Sequence, residues 1–279
     1  MKIGFLGFGQ MGRPMVERLK AAGHSLRVYN RTRSSPEVLE SADRVLDAEI
    51  VITMLADDAA VRSVWLDSGL AARLPAHAIH LNMATVSMAI SRELASIQKN
   101  YVAAPVFGRP PLAAQGQLDI IAAGPGAALE RCKPIFSVLG KQTFLVGGEP
   151  AAANAVKIAR NFLLACLIES LGEAFALVRK CGVEPQKFLD VIGSTSLGSP
   201  AYRNYGKMIV DQAWKPAQFA MPLGVKDVEL ALSTASEAGM GLALGEMIRA
   251  HLLDAIGAGR ADQDWAALAG HIAHKAGLK

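Results

Sequence analysis

A lysine and an asparagine lie four positions apart in the longest apolar segment of the chain. Lys157 and Asn161 would share one face of a helix, and the side chains around them are mainly apolar. Burying an ammonium group without partners is costly, so this lysine needs a physical reason. Two structural reasons are open: a side chain that reaches the surface, or an ion pair with an acid such as Glu169. The chemical alternative is a lysine that exchanges a proton with a bound molecule.

A second chemical pattern is the glycine sequence that follows the first apolar run. Gly7, Gly9 and Gly12 form a G-x-G-x-x-G motif, with Gln10 and Met11 between the last two glycines. The first glycine permits a tight turn, the second lets a diphosphate approach the backbone, and the third lets a helix pack on the strand. Free N–H groups at the start of that helix attract phosphate. Between a strand and a helix, the motif predicts a dinucleotide cofactor rather than an ordinary turn.

The end of the second strand-like run indicates which dinucleotide binds. An NAD site usually has Asp or Glu there, which binds the ribose 2′-hydroxyl. This chain has Asn30, Arg31 and Thr32 instead. The guanidinium of Arg31 can bind a 2′-phosphate through two hydrogen bonds, and Asn30 and Thr32 can add neutral ones. The sequence therefore favours NADP(H) over NAD(H), and a solvated arginine in a turn is the alternative.

Strands and helices alternate through the first half of the chain and position these residues. The predicted strands are Lys2–Leu6, Ser25–Tyr29, Ile50–Met54, Ala78–Asn82, Tyr101–Ala104, Leu118–Ala122 and Thr143–Val146. The predicted helices between them are Met11–Ala22, Ala59–Asp67, Ser87–Lys99 and Ala127–Leu139. This alternation predicts right-handed βαβ crossovers and a doubly wound, mostly parallel α/β sheet of the Rossmann type.

The strand signal ends near Gly148, and helical patterns follow. We predict an NADP-binding domain over residues 1–148 and an all-α substrate and dimerisation domain over residues 149–279. A long helix, Ala151–Lys180, opens the second domain, and a glycine and a proline soon after it favour its end there. The later predicted helices are Pro185–Ile192, Pro200–Val210, Pro222–Glu237, Leu244–Gly257 and Asp264–Lys275.

The composition argues against several classes of protein. Three separated cysteines and six histidines without ligand spacing indicate neither a disulfide framework nor a metal site. The formal net charge is +4 and the basic residues are scattered, which argues against nucleic acid and suits anionic small ligands. No secretory signal is evident, and charges interrupt the longest apolar segment. We therefore expect a cytoplasmic protein without a membrane span.

The segment Gly4–Thr32, GFLGFGQMGRPMVERLKAAGHSLRVYNRT, resembles the N-terminal signature of the β-hydroxyacid dehydrogenases. That family includes 3-hydroxyisobutyrate dehydrogenase, tartronate semialdehyde reductase and the glyoxylate/succinic semialdehyde reductases. The resemblance covers essentially the whole chain and implies NADPH-dependent hydride transfer by a Rossmann domain followed by a helical domain. Shorter matching motifs follow in the same order at residues 51–55, 82–87, 104–106, 157–161 and 226–227.

The resemblance implies cofactor contacts after two of the strands. Met54, Leu55 and Ala56 would line the adenine-ribose side of the dinucleotide. Thr85 would lie beside the nicotinamide ribose and the substrate. Both positions follow the carboxyl ends of strands, where open α/β sheets bind their ligands. Without the resemblance, Met54 would be a core methionine and Thr85 the N-cap of a helix.

The resemblance also implies which residues carry the chemistry. Lys157 would protonate the substrate oxygen during carbonyl reduction and act as base in the reverse direction. Asn161 would hold the substrate oxygen or the lysine without adding charge. Lys226 would lie near the nicotinamide and the substrate, although on its own it is an ordinary lysine of a helix.

The chain departs from the family in the loop that receives the substrate. The family usually has Ser-Gly-Gly after its Ala-Pro-Val motif, and this chain has Phe107, Gly108 and Arg109. A phenylalanine removes a hydroxyl group and adds bulk, so we predict a reshaped substrate pocket lined by these three residues. Arg109 would bind a substrate carboxylate through two hydrogen bonds, or else point into solvent. Ala151 and Ala153 also replace two family glycines.

The leading hypothesis is a reversible NADPH-dependent reductase of a short semialdehyde or 2-oxo acid. An imine reductase is the alternative, although those enzymes usually carry aspartate or tyrosine where this chain has Lys157. A non-catalytic dinucleotide-binding module is a third hypothesis. The long apolar helix requires more cover than the smaller helices supply, so we expect a homodimer or homotetramer.

Overall fold

A computed structural model of the protein describes residues 1–32, 38–39 and 41–278. The chain forms two compact units, Met1–Lys157 and Ile158–Lys279. The division falls inside the long helix that the sequence predicts. The predicted domain boundary after residue 148 stays a prediction.

The first unit is built on a six-stranded parallel sheet with the strand order β3-β2-β1-β4-β5-β6. This order is that of a Rossmann fold and confirms the predicted doubly wound α/β class. Its strands are β1 Lys2–Leu6, β2 Ser25–Tyr29, β3 Val38–Leu39, β4 Ile50–Thr53, β5 Ile79–Asn82 and β6 Tyr101–Ala103. The helices that accompany them are α1 Gly12–Ala21, α2 Asp58–Val61, α3 Leu70–Arg73 and α4 Met88–Ile97.

Alternate side chains of the central strands enter two hydrophobic cores, one on each face of the sheet. Ile50 and Ile52 lie in the first core, and Val51 between them lies in the second. Tyr101 likewise belongs to the second core and Val102 to the first. Successive side chains of a strand point to opposite faces, so a strand buried on both faces is apolar throughout. This is why these strands appear in the sequence as continuous apolar runs.

A smaller three-stranded sheet completes the first unit. Its strands are β7 Val106–Phe107, β8 Leu118–Ala122 and β9 Gly140–Leu145, and helices α5 Pro110–Gln115 and α6 Gly126–Leu139 connect them. β7 and β8 are antiparallel, whereas β8 and β9 are parallel. The sequence did not predict β7, because two residues are too few to show an alternation of apolar and polar side chains.

Several other short elements also differ from the prediction. The helix predicted over Ala59–Asp67 is α2 followed by a π-helical segment, Arg62–Asp67. β3, α3 and α5 were not predicted either, since each is only two to six residues long. Periodicity over so few residues carries little information.

The second unit is helical, as predicted. Its first helix, α7 Ala151–Lys180, is the long apolar one and begins within the first unit. The helices that follow are α8 Pro185–Ser194, α9 Pro200–Asp211, α10 Met221–Glu237, α11 Ala243–Ala255 and α12 Ala267–Lys275. Proline lies in the first turn of α8, α9 and α10, where its missing N–H costs no hydrogen bond.

The last helix begins three residues later than predicted, because Asp264 binds backbone N–H groups outside the helix. Its carboxylate accepts hydrogen bonds from the backbone N–H groups of Gln218, Phe219 and Ala266, at 3.0 to 3.1 Å. The acid therefore joins the start of this region to the loop before α10. A pattern of apolar residues cannot show such a long-range contact.

Helix α7 is long and apolar enough to cross a bilayer by length and composition alone. However, it carries four buried polar or charged side chains that make hydrogen bonds with the protein: Asn154, Lys157, Asn161 and Glu169. Its apolar residues Ile168 and Phe175 belong to the core of the second unit. Buried polar side chains that form hydrogen bonds with the protein are typical of a core helix.

Candidate active site

The glycine loop between β1 and α1 has the geometry of a dinucleotide site. Gly7 has φ +105°, and a Cβ there would lie 2.1 Å from the carbonyl oxygen of Met54. A Cβ at Gly12 would lie 1.9 Å from the carbonyl oxygen of Gly7. At Gly9, by contrast, a Cβ would meet no described atom within 4 Å. Packing thus requires the outer two glycines, and the middle one leaves room for a diphosphate against the backbone.

The start of α1 suits an anion. Its N-cap residue, Met11, forms no side-chain hydrogen bond to the helix, and the first turn contains no acidic residue. The positive end of the helix dipole is therefore not offset by a carboxylate in that turn. Gln10 is exposed beside it, and Met11 packs partly against the first core. These features fit the pyrophosphate of a dinucleotide.

Asn30 supports this loop from the end of β2. Its Oδ1 accepts a hydrogen bond from the N–H of Phe8 at 3.1 Å, and its Nδ2 donates to the carbonyl of Thr32 at 2.8 Å. That Asn30 contacts the cofactor stays a prediction; in the structure, its side chain supports the glycine loop. Arg31 and Thr32 follow it and are exposed.

The residues after β4 lie beside the same loop. The backbone of Met54 packs against Gly7, and its side chain packs partly against the first core. Leu55 packs partly against the second core, and Ala56 is exposed. The interpretation of Met54 as a core residue is therefore partly correct, while its backbone borders the glycine loop.

Three side chains from three elements hold the backbone between β5 and α4. Asn82 accepts a hydrogen bond from the N–H of Ala84 at 3.1 Å, and Asp58 accepts one from the N–H of Ser87 at 2.8 Å. Asn154 of α7 donates to the carbonyl of Val86 at 3.3 Å. Sequence analysis missed Asp58 and Asn154 as supports of this loop. Their partners are far away in the chain, and no local pattern marks them.

Thr85 lies in the middle of this supported loop and is half-buried. The N-cap of α4 is Ser87, whose hydroxyl accepts a hydrogen bond from the N–H of Ile90 at 3.2 Å. The interpretation of Thr85 as a helix N-cap is therefore wrong. The role of Thr85 beside nicotinamide and substrate stays a prediction, and the fixed backbone around it suits a positioning function.

Lys157 is buried in the first unit and only 8% exposed. Its ammonium donates a hydrogen bond to the carbonyl oxygen of Val106 at 2.8 Å and lies 4.8 Å from the centre of the Phe107 ring. The interpretation of a lysine that reaches the surface is thus wrong. The suggested pairing with Glu169 is also wrong, because that carboxylate binds His251 Nδ1 at 2.7 Å.

The backbone of Pro105 and Val106 explains why the carbonyl of Val106 is available to Lys157. The carbonyl of Pro105 accepts a hydrogen bond from the N–H of Ile121 in β8 at 3.0 Å. Successive carbonyls of a strand point in opposite directions within the sheet, so that of Val106 points away from β8. β7 is an edge strand, and Lys157 takes the place of a further strand as the donor.

The loop after β7, which the resemblance assigns to the substrate, turns sharply. Gly108 has φ +141°, and a Cβ there would lie 2.6 Å from Leu118 Cδ2, so only glycine fits without strain. Arg109 follows as the half-buried N-cap residue of α5. Its predicted binding of a substrate carboxylate stays a prediction. Together with Phe107, these residues place an aromatic ring and a cation on a short, constrained loop.

In the second unit, Asp227 joins two of the predicted site residues. The amide of Asn161 donates to Asp227 Oδ2 at 2.6 Å, and the ammonium of Lys226 lies 3.2 Å from Oδ1. Asp227 is only 4% exposed, so both contacts act in a low-dielectric environment. The sequence showed this acid only as the second residue of a Lys-Asp pair. Its function as the shared partner was visible only in the structure.

The strand order, the glycine loop and the uncapped start of α1 define a dinucleotide-binding Rossmann protein. Residues 2–148 match the NAD binding domain of 6-phosphogluconate dehydrogenase. Residues 151–272 match the NAD-binding family of NADP-dependent 3-hydroxyisobutyrate dehydrogenase. The protein is therefore a nicotinamide-dinucleotide-dependent oxidoreductase. Within that class, the chain belongs to the β-hydroxyacid dehydrogenase family.

Relatives of known sequence and structure agree with this membership. The uncharacterised oxidoreductase YfjR of Bacillus subtilis is 42% identical and covers 96% of this chain and 98% of its own. The 2-hydroxy-3-oxopropionate reductase of Escherichia coli is 31% identical over 87% of each chain. A 3-hydroxyisobutyrate dehydrogenase of Mycobacterium tuberculosis, solved with L-serine, superposes with a TM-score of 0.86 at 27% identity. That match covers 96% of this chain and 98% of the other.

Imine reductases share the fold at a greater distance. The enzyme from Myxococcus stipitatus has a TM-score of 0.63 and 18% identity, over 97% of this chain and 99% of its own. A likeness at this level shows common architecture alone. It therefore adds nothing to the imine reductase hypothesis.

Proposed function

We propose that the protein is an NADP(H)-dependent dehydrogenase that interconverts a short semialdehyde and a β-hydroxyacid-type alcohol, with Lys157 as the general acid and base. The observation that carries this proposal is the position of Lys157. Its ammonium is buried within the same unit as the glycine loop and is held by a backbone carbonyl rather than solvated. Buried ionisable groups in such settings are candidates for proton transfer.

In the direction of reduction, the chain must supply a proton. When bound, the reduced cofactor would supply the hydride for the carbonyl carbon. Lys157 donates a proton to the carbonyl oxygen as negative charge develops there, and its neutral amine accepts that proton in the reverse reaction. Lys157 can release its hydrogen bond to Val106 when a substrate oxygen offers a better acceptor. Asp227 contacts both Asn161 and Lys226. As the resemblance implies, Asn161 would hold the substrate oxygen or the lysine, and Lys226 would lie near the nicotinamide and the substrate.

The preference for NADP(H) rests on the residues after β2. Asn30 places neutral amide groups there in place of a carboxylate, and the exposed guanidinium of Arg31 follows directly. A permanent cation at this position favours a 2′-phosphate, and the Thr32 hydroxyl can add a hydrogen bond.

The named relatives support the proposed substrate class. They include a 2-hydroxy-3-oxopropionate reductase, a 3-hydroxyisobutyrate dehydrogenase and a glyoxylate/succinic semialdehyde reductase. Arg109 would bind the carboxylate of such a substrate, and Phe107 would narrow the pocket beside it. We also expect a homodimer or homotetramer, because Leu163, Leu177 and Leu244 leave apolar side chains exposed on the helices.

The experiment that tests the proposal compares wild type with Lys157→Met on a panel of carbonyl substrates. The panel contains glyoxylate, succinic semialdehyde, tartronate semialdehyde and a cyclic imine, each with NADPH. We expect Lys157→Met to lower turnover by about 10²- to 10⁴-fold, because the proton donor is lost. NADPH affinity, measured by nucleotide fluorescence, should change little. The exposed Lys99→Met exchange is the matched control and should leave turnover unchanged.

Three results would contradict the proposal. Full turnover by Lys157→Met would remove the lysine from the mechanism. Turnover of the cyclic imine alone would favour an imine reductase, and NADPH binding without any turnover would favour a non-catalytic module.

For the cofactor, Arg31→Ala should weaken NADPH binding by roughly tenfold and leave NADH binding unchanged, with Arg44→Ala as control. Equal losses for both nucleotides would contradict a role for Arg31 at the 2′-phosphate.

A further inference from the structure

The ammonium of Lys157 lies against the ring of Phe107, at a position where the family resemblance leads us to expect a serine. We propose that Phe107 is a positioning residue for Lys157: its ring face and the carbonyl of Val106 together hold the ammonium beside β7 and keep it protonated. This gives the departure from the family pattern a specific function. It concerns how the proton donor is held rather than which substrate binds.

The geometry places two electron-rich groups around one cation. The ammonium lies 2.8 Å from the carbonyl oxygen of Val106 and 4.8 Å from the centre of the neighbouring ring. The face of an aromatic ring carries partial negative charge and attracts cations within about 6 Å. Because Lys157 is only 8% exposed, water screens neither interaction strongly. Both interactions therefore favour the charged form of the lysine.

The ring is itself held in place. Phe107 is half-buried and packs against the second hydrophobic core of the first unit, which also has Ala152 packed against it. The backbone of the strand is fixed by antiparallel pairing of Phe107 with Asp119. A ring anchored on its apolar side presents a defined face to the ammonium. A serine at this position would offer a hydroxyl group but no such surface.

The consequence is a wider pH range over which Lys157 can act as the acid in reduction. A lysine that retains its proton over a wider range of pH is a more available acid and a weaker base. We therefore expect Phe107 to extend carbonyl reduction towards alkaline pH. The kinetic part of this inference rests on the proposed function; the position and charge of Lys157 can be tested without any turnover.

The test is NMR of the full-length protein labelled with ¹³C and ¹⁵N in lysine, with Lys157→Met used to assign the resonance. In wild type, the ring should shift the ε-methylene protons of Lys157 upfield. Phe107→Leu should abolish that upfield shift and lower the titration midpoint of Lys157 by about one pH unit. Phe107→Trp should retain both properties, because indole also presents a π face. Phe144→Leu, the same exchange at an exposed position of β9, should change neither.

The inference is overturned if Phe107→Leu leaves the ring shift and the midpoint of Lys157 as in wild type. It is also overturned if Phe107→Trp behaves like Phe107→Leu. In the kinetic arm, the alkaline limb of the pH–rate profile should move down in Phe107→Leu by the same amount as the NMR midpoint. A wild-type protein without turnover would contradict the proposed function while leaving the NMR result to decide this inference.

Discussion

Two buried polar groups of the first unit, His80 and Lys157, are held in different ways. His80 has both ring nitrogens hydrogen-bonded to side chains: Nδ1 to Gln98 Oε1 at 2.7 Å and Nε2 to the Thr53 hydroxyl at 2.8 Å. Trp65 stacks on the ring and donates to the same hydroxyl. Lys157, by contrast, is held by a backbone carbonyl and a ring face.

The difference distinguishes a structural network from the site that we propose for proton transfer. Gln98 can only accept through its oxygen, so His80 carries its proton on Nδ1 and accepts from Thr53 at Nε2. Every polar atom of that ring is then satisfied, and nothing is left to react. The partners of Lys157 stabilise its charge but leave the ammonium able to exchange one acceptor for another. If Lys157 acts as proposed, the nature of its partners, and not burial alone, distinguishes it from His80.

The largest expected effect comes from breaking the structural network. His80→Leu keeps the volume but leaves Thr53 and Gln98 without their partner in the core, so we expect a loss of about 3 kcal/mol in the free energy of unfolding. Urea denaturation measures it. The exposed His77→Leu is the control and should change stability little. A small loss for His80→Leu, or a loss of turnover in the folded variant, would erase the distinction between the two sites.

The second effect is the pH dependence of that network. Burial lowers the pKa of His80 to about 3, against 6.5 for the ordinary side chain, although the bond to Gln98 opposes this. Below pH 6.5 the unfolded chain binds a proton at His80 that the folded protein does not. The free energy of unfolding therefore decreases as the pH is lowered from 6.5 to about 3. At pH 4.5 the loss from this group should be about 2–3 kcal/mol.

The variant His80→Leu isolates this contribution, because all other titrating groups are common to both proteins. The difference in unfolding free energy between wild type and His80→Leu should narrow by that amount between pH 7 and pH 4.5. Denaturation curves at several pH values measure it. A constant difference would show that His80 titrates normally in the folded state.

The smallest effect on stability is expected at Asn154, which connects the helix of Lys157 to the loop of Thr85. Asn154→Ala removes its hydrogen bond to Val86, yet it also removes a buried Oδ1 that has no hydrogen-bond partner in the described part of the chain. We therefore expect a loss of only about 1 kcal/mol in stability but about tenfold in turnover, since the loop is no longer fixed.

Asn100→Ala is the matched control for this prediction. Its amide also donates to loop carbonyls, those of Ala76 and Ala78, but away from the Thr85 loop. It should cost a similar amount of stability and leave turnover unchanged. Equal turnover in the two variants would show that Asn154 is structural, like His80.

Much of the fold was predictable from local patterns. The strands Lys2–Leu6, Ser25–Tyr29 and Leu118–Ala122 have the predicted bounds, because each is a short run rich in apolar residues with glycine or a polar residue close to its ends. The glycine loop was predictable for the same reason. β3 and β7 were not, since two residues form a strand only when a neighbouring strand supplies the hydrogen bonds.

The site was predictable only in part. The sequence and the family resemblance pointed to Lys157, Asn161 and Lys226 as a set. They did not show that Asp227 binds the latter two, or that Asn30 supports the glycine loop. Contacts between residues far apart in the chain depend on how the elements pack.

By itself, the sequence determined the class of fold and the cofactor loop, because both depend on residue types at short, regular spacing. The candidate proton donor, Lys157, came from the family resemblance. Tertiary structure decided the surroundings of those groups. Only the packed chain places an edge-strand carbonyl and an aromatic ring around the ammonium of Lys157. Only the packed chain surrounds His80 with partners that leave it inert. The charge and reactivity of a buried group depend on its neighbours in space, and only the folded chain brings those neighbours together.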